Sequence, residues 1–276
     1  MRRFVPVLVL AAGLPLAAQA RTPAAQASNA AHPKSRAPAS AKSTASQKEK
    51  TVPFRPGETL DYDIGWSSFI TAGTAEIVVK EKKPSYGSTA YYIVAEGRPT
   101  PIVAKLYTLY YKADTLLDVF SLLPQRGSLY SEEGKRHRMK TTMFDQGARK
   151  ASYQIESRTA AKKDIAIPGF TQDALSAIYV LRSIPINTGD KFNMPITDNG
   201  KVYKVQMQVG TVEPVQTGLG TVSGLKITPV ITGPDKDSPH DLALWISNDP
   251  RRLPLKIEAQ LVVGKFVITL TKATGL

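Results

Sequence analysis

Tyr203-Lys204-Val205-Gln206-Met207-Gln208-Val209 alternates apolar and polar residues without a slip. Successive side chains of a strand point to opposite faces, so this run has one apolar face and one wet face. Asp198-Asn199-Gly200 stands just before it. Asn-Gly tolerates the positive φ that a two-residue hairpin turn requires. The stretch is therefore expected to be one arm of a hairpin in an antiparallel sheet solvated on one side.

The same period recurs in both directions. Tyr62, Ile64 and Trp66 alternate with Asp61, Asp63 and Gly65. Ala75, Ile77 and Val79 alternate with Glu76, Val78 and Lys80. Ile257, Ala259, Leu261 and Val263 alternate with Lys256, Glu258, Gln260 and Val262, and Phe266, Ile268 and Leu270 follow Gly264. Turn residues separate the runs at Pro84 to Ser88, Glu132-Glu133-Gly134 and Asp145-Gln146-Gly147. The expected fold is mainly β, with about a dozen strands, a number that normally curls a sheet or closes it. That means a large curved antiparallel sheet, or an open or closed β-barrel. One segment breaks the period. Thr171 to Ser183, TQDALSAIYVLRS, has Leu175, Ile178, Tyr179 and Arg182 at helical spacing between Pro168 and Pro185. Thr171 is placed to cap this helix and Asp173 to sit in its first turn. Residues 102–109, IVAKLYTL, are the candidate for a second short helix.

The first 50 residues stand apart. Arg2 and Arg3, an apolar stretch from Phe4 to Ala17, and Ala18-Gln19-Ala20 read as a secretory signal cleaved near Ala20. Residues 21–50 are rich in Ala, Ser, Pro and Lys, the composition of a disordered tether, and residues 51–276 form the folded domain. The chain is expected to be periplasmic, with no membrane span after cleavage. It contains no Cys, which removes disulfides, thiol catalysis and thiolate metal sites. Of its 36 basic and 23 acidic residues, 8 and 1 lie in residues 1–50. The domain keeps 28 against 22, a net of +6, so most of the nominal +13 is not the domain's own. A mildly basic domain suits an anionic envelope and is not expected to meet nucleic acid.

The residues offer little chemistry. His32 lies in the tether, His137 in the run Lys135-Arg136-His137-Arg138-Met139-Lys140, and His240 in a loop with Asp235, Asp237 and Asp241. None has metal-ligand spacing, and no G-x-S-x-G elbow, P-loop or dinucleotide fingerprint occurs. No catalytic residue, metal or cofactor is expected. The basic run reads as the wet face of an edge strand, or as a grip for phosphates. Gly218-Leu219-Gly220 reads as a hairpin. On the helix, Asp173, Ser176, Tyr179 and Arg182 could line the mouth of a barrel. The plainer reading is a helix that plugs the sheet with Asp173 and Arg182 tied to backbone. Trp245 and Arg252 lie in Leu244-Trp245-Ile246-Ser247-Asn248-Asp249-Pro250-Arg251-Arg252-Leu253-Pro254, where Asn-Asp-Pro marks a turn.

Four motifs, in this order, carry a resemblance. They are Phe54-Arg55-Pro56-Gly57-Glu58-Thr59-Leu60-Asp61-Tyr62; Ala72-Gly73-Thr74-Ala75; Asp173 to Tyr179 with Leu181 and Arg182; and Leu244 to Ser247 with Asp249, Arg252, Leu253 and Pro254. In them the chain resembles the DUF3108 family of bacterial exported proteins, whose function is uncharacterised. The resemblance implies an envelope location and a curved, barrel-like sheet, and it implies no reaction.

The leading expectation is an exported envelope protein that binds a lipid or other amphiphile in its sheet, with Asp173, Ser176, Tyr179, Arg182, Trp245 and Arg252 as candidate ligand-binding residues. A basic and aromatic stretch, Lys105, Tyr107, Tyr110, Tyr111 and Lys112, could flank the entrance. The alternative is a structural or interaction module of the envelope with no small ligand. A third reading is a hydrolase using carboxylates such as Asp61, Asp63 or Asp114. An open apolar cavity would favour the first, a filled barrel with an aromatic surface patch the second, and convergent buried carboxylates the third.

Overall fold

Period-two alternation becomes strand wherever the structure can be read. The computed structural model describes residues 48–67, 70–233, 240–261 and 264–276. The expected signal, nearly all of the tether, Val262 and Val263, and Asp235 and Asp237 of the His240 loop lie outside the described residues, as do the readings made on them. The strands are β1 (Thr59–Trp66), β2 (Ile70–Ser85), β3 (Ser88–Pro99), β4 (Leu109–Asp118), β5 (Pro124–Glu133), β6 (Arg136–Asp145), β7 (Lys150–Glu156), β8 (Ala161–Ala166), β9 (Lys191–Asn193), β10 (Ile196–Asp198), β11 (Lys201–Thr217), β12 (Gly220–Thr232), β13 (His240–Ser247), β14 (Pro254–Leu261) and β15 (Gly264–Thr274). Two helices, α1 (Pro101–Leu106) and α2 (Ala174–Ser183), interrupt them.

The strands form one antiparallel sheet, ordered β10-β11-β12-β13-β14-β15-β1-β2-β3-β4-β5-β6-β7-β8, with β9 pairing β11 off the path. The chain ends meet in the middle of that path, where β1 pairs with β15 from Thr59↔Thr274 to Trp66↔Phe266. The sheet curls into a barrel-like form. Among the described residues no ladder joins its two ends, β8 and β10. Side chains bridge that seam instead. Lys163 Nζ donates to the Gly200 carbonyl at 3.1 Å, and the Tyr153 ring lies where a Cβ on Gly200 would come within 2.7 Å. Gly200 is therefore needed twice, for this approach and for its φ of 69° in the turn with Asn199 (φ 50°) that links β10 to β11.

The hairpin of β11 and β12 bends at a register shift between Val209 and Val212. Its tip, Gly218-Leu219, returns to β15, where Gly218 N–H donates to the Leu270 carbonyl at 2.8 Å. A Cβ at Gly218 would sit 2.2 Å from the Thr271 carbonyl oxygen, so this contact requires glycine.

The apolar faces anticipated from the alternation are buried: Tyr62 and Ile64, Ile77 and Val79, Tyr203 to Val209 at every second residue, and Phe266, Ile268 and Leu270. They form one core with α2. Every α2 residue from Leu175 to Arg182 is buried, as expected of a helix surrounded by sheet. The N-cap of α2 is Asp173 and not Thr171. A capping box needs a polar side chain three residues on. For Asp173 that residue is Ser176, whose N–H donates to Asp173 Oδ1 at 2.8 Å while its Oγ accepts the Asp173 N–H at 3.0 Å. For Thr171 it would be Ala174, and Thr171 donates instead to the Pro168 carbonyl at 2.7 Å. Glu49 and Lys50, assigned to the tether, already touch the fold: Glu49 pairs with Lys82 at 2.5 Å, and Lys50 N–H donates to the Val119 carbonyl at 2.9 Å.

Candidate functional site

A buried arginine in an apolar helix needs an anion and hydrogen-bond acceptors, or its charge would be costly. Arg182, 1% exposed, finds Glu58, 0% exposed, in a two-pronged pair with Nη1 to Oε1 at 2.6 Å and Nη2 to Oε2 at 2.7 Å. Its remaining N–H groups donate to the carbonyls of Arg252 at 3.0 Å and Arg251 at 3.3 Å. Burial works against the Arg182 charge, and the hydrogen-bonded Glu58 carboxylate outweighs it, so its pKa stands above the ordinary arginine value. Tyr179 Oη donates to Glu58 Oε1 at 3.4 Å, and Tyr62 Oη to the Pro254 carbonyl at 3.0 Å. Burial first, and then the Glu58 charge, holds the Tyr179 hydroxyl well above the usual phenol range. Phe54 packs edge-on to Tyr179 at 4.7 Å and to Tyr91 at 5.0 Å, beside the Arg182 guanidinium.

This knot ties three distant stretches of chain. Glu58 is fixed because Gly57 N–H donates to the Val79 carbonyl and the Glu58 carbonyl accepts Val79 N–H. Arg252 is fixed in a left-handed backbone conformation (φ 49°), with its guanidinium donating to the Ile184 carbonyl at 3.0 Å. The turn before it is held by Ser247 and Asp249: Leu253 N–H donates to Ser247 Oγ, and Arg251 N–H to Asp249 Oδ1.

Of the six candidate residues, the structure therefore brings Tyr179, Arg182 and the Arg252 backbone together. Ser176 and Asp173 lie at the other end of α2 in the cap. Asp173 is half-buried, and burial raises its pKa against the pull of bonds from Ser176 and Thr115. Its carboxylate accepts from Thr115 Oγ1 at 2.7 Å, and Gly127 leaves room for it, since a Cβ there would lie 3.1 Å from Asp173 Cγ. Trp245 is separate. It is buried, donates to Glu213, and has the ammonium groups of Lys226 and Lys256 about 5 Å from its ring. Glu58 was absent from the candidate set. The signal for it was the isolated Arg182 among Tyr179, Val180 and Leu181, which demands an acid elsewhere.

Two openings lie along one face of β4. The first is at the end of the sheet that carries α1. It is lined by Ile64, Val103, Leu109, Tyr111 and Phe266 and holds about 70 Å³. No α1 residue is buried; Ile102 is 76% and Leu106 82% exposed. Lys105 lies in its last turn, and Tyr107 Oη lies 3.2 Å from the Cβ position of Gly134, so exposed Lys135 and Arg136 adjoin it. Of the basic and aromatic stretch, Lys105 and Tyr107 are at this rim. Tyr111 turns inward and donates to Glu133 at 3.1 Å, Tyr110 packs against Tyr130, and Lys112 pairs with Glu96 at 3.0 Å.

The second opening is the seam, also about 70 Å³, between Ala113, Leu129, Lys140 and Tyr153 on one wall and Thr197 to Asn199 on the other, with Asp173 to Leu175 as its floor. The run Lys135 to Lys140 opens β6, which has β5 on one side and β7 on the other. It is not an edge, because β7 and β8 extend the sheet beyond it. Of the carboxylates weighed for hydrolysis, Asp114 lines the seam, engaged by Arg126 and Ser128, while Asp61 and Asp63 line a separate, wider opening of about 420 Å³ with Glu76, Glu96 and Arg98.

No curated protein matches the chain. The solved structures distantly similar to it include the following three. A β-barrel-like protein of a domain of unknown function, DUF1849, from Brucella abortus has a TM-score of 0.46 and 12% identity, covering 78% of this chain and 96% of that one. A protein from Bacteroides fragilis, described as exported with a YmcC-like fold, gives 0.37 and 11% over 82% and 100%. One from Parabacteroides distasonis, described as a lipoprotein, gives 0.34 and 10% over 82% and 100%. Residues 61–271 match the family described as protein of unknown function (DUF3108), the stretch that carries most of the β1-to-β15 sheet and α2. The chain belongs to the DUF3108 family.

Proposed function

We propose that this chain is an exported envelope protein that binds an anionic amphiphile at the α1 end of its barrel-like sheet. One observation carries the reading. A helix with no buried residue presents Ile102 and Leu106 to solvent above an apolar opening. Exposed apolar side chains beside a concave apolar wall mark a site for an apolar partner. The rim of Lys105, Lys135 and Arg136 adds attraction for an anionic head group. The signal pattern of residues 1–20 supports export. The ligand belongs at this end and not at the centre of the sheet, because α2 occupies the interior. Ser176, Tyr179, Arg182 and Arg252 then act at a distance, by holding the frame, while Asp173 reaches the floor of the seam.

The test is co-sedimentation of the purified chain with vesicles of phosphatidylglycerol and of phosphatidylcholine. Binding that prefers the anionic vesicles and is lost in Ile102→Asp/Leu106→Asp supports the reading. Equal behaviour of wild type and variant refutes it, and returns α1 to the interaction-module reading with a protein partner.

A further inference from the structure

We propose that the seam is a binding site for a monovalent oxyanion, held by Lys140 and Tyr153. The identification of that oxyanion as the head group of the amphiphile rests on the function proposed above; the site itself does not.

Cross-strand register places Lys140 opposite Leu129 on β5 and Ile155 on β7, and Thr142 opposite Tyr153. The ammonium thus rises from a partly apolar wall into the cleft. Burial lowers its pKa, with the charges of Asp198 and Glu133 acting in the opposite sense. Among the described residues, no hydrogen bond or ion pair closes on the Lys140 ammonium. The acids nearby are engaged elsewhere. Glu133 takes Tyr111 at 3.1 Å and Arg138 at 3.5 Å, Asp198 takes the Asn199 amide at 2.6 Å, and Asp173 takes Thr115 and Ser176. Tyr153 is similar: burial and then the Asp198 charge push its hydroxyl to about 12, and no partner closes on that hydroxyl among the described residues. A half-buried cation and a neutral hydroxyl donor on one wall of the cleft thus face an opening with their donors free for a ligand. An oxyanion completes it.

Charge and size narrow the class. Asp114, engaged by Arg126 and Ser128, and Asp173 and Asp198 bound the cleft, so a second negative charge on the ligand would meet repulsion. A space of about 70 Å³ admits several waters or one small group, and not an acyl chain. A carboxylate and a phosphodiester both fit. Leu109, Tyr111 and Ala113 occupy alternate positions of β4, so the apolar opening and the seam share one stripe of that strand. Leu109 and Ala113 are about 14 Å apart along it, within the length of an amphiphile.

The test uses tail-less probes, dimethyl phosphate and acetate, titrated into the purified chain while lysine and tyrosine side-chain resonances are followed by NMR. The expected result is a saturable shift at Lys140 and Tyr153, at concentrations at least tenfold below those that move exposed Lys105. Lys140→Met should abolish the saturable shift at Tyr153, and Tyr153→Phe should weaken it about three- to tenfold. Saturation by dimethyl phosphate alone assigns a phosphodiester, and by acetate alone a carboxylate. Saturation by both assigns the shared oxyanion chemistry. Shifts at Lys140 that merely parallel Lys105 overturn the site. A saturable site together with indifference to vesicles would retain it and refute the amphiphile reading.

Discussion

Arg182 and Glu58 set the residue scale. Each is fully buried and each satisfies the other, so removing one strands a charge where water cannot reach it. Breaking such a pair costs about 3–5 kcal/mol, whereas replacing both partners by apolar groups costs less. Arg182→Met should therefore lower stability by about 4 kcal/mol in urea denaturation, and Glu58→Met/Arg182→Met should recover part of that loss. A double variant less stable than either single one would contradict the assignment. Asp173 gives a second case, with a pH signature. Burial raises its pKa above 3.8, so its carboxyl is more easily charged in the unfolded chain. Its contribution is fully present below 3.8 and is lost as pH rises through the folded value. Asp173→Asn keeps a side chain that can accept from Ser176 N–H, and it should remove this pH dependence. Asp173→Ala loses the cap as well and should cost about 1 kcal/mol. Stability curves of the three proteins between pH 3 and pH 8 separate these effects.

The elements show which features can be read locally. Period two is written into seven residues of Tyr203 to Val209, and burial follows it there and in β1 and β15, whereas in β2 Val78 is buried along with Ile77 and Val79. The α2 helix was equally legible, because Pro168, Pro185 and a 3.6 period mark it without outside help. The cap falls two residues beyond the expected Thr171, since Thr171 and Asp173 are both good capping residues and only the partner at Ser176 decides between them. The basic run reads as an edge from sequence because nothing in Arg136 to Lys140 announces that β7 and β8 lie beyond it. Likewise the seam joins Tyr153 and Lys163 to Gly200, and sequence periodicity cannot report a contact between elements so far apart. The return of the β11–β12 hairpin onto β15 belongs to the same class. Gly218→Ala places a Cβ against the Thr271 carbonyl, so it should lift the tip and cost about 1–3 kcal/mol. Hydrogen exchange should show the amide at position 218 losing protection in the variant while β14 stays protected.

For the whole molecule, the stretches Phe54 to Glu58, Asp173 to Arg182 and Leu244 to Pro254 meet in the buried knot or brace it. They hold α2 inside the curled sheet. In the proposed function, architecture and recognition are carried by different residues. The central claim, that an amphiphile is bound at the α1 end, is tested most directly by vesicle co-sedimentation of wild type against Ile102→Asp/Leu106→Asp. Both α1 positions are solvent-exposed, so the variant should keep wild-type stability to within about 0.5 kcal/mol. The account expects the wild type to sediment with phosphatidylglycerol vesicles and the folded variant to stay in the supernatant. A folded variant that sediments as the wild type does would contradict it.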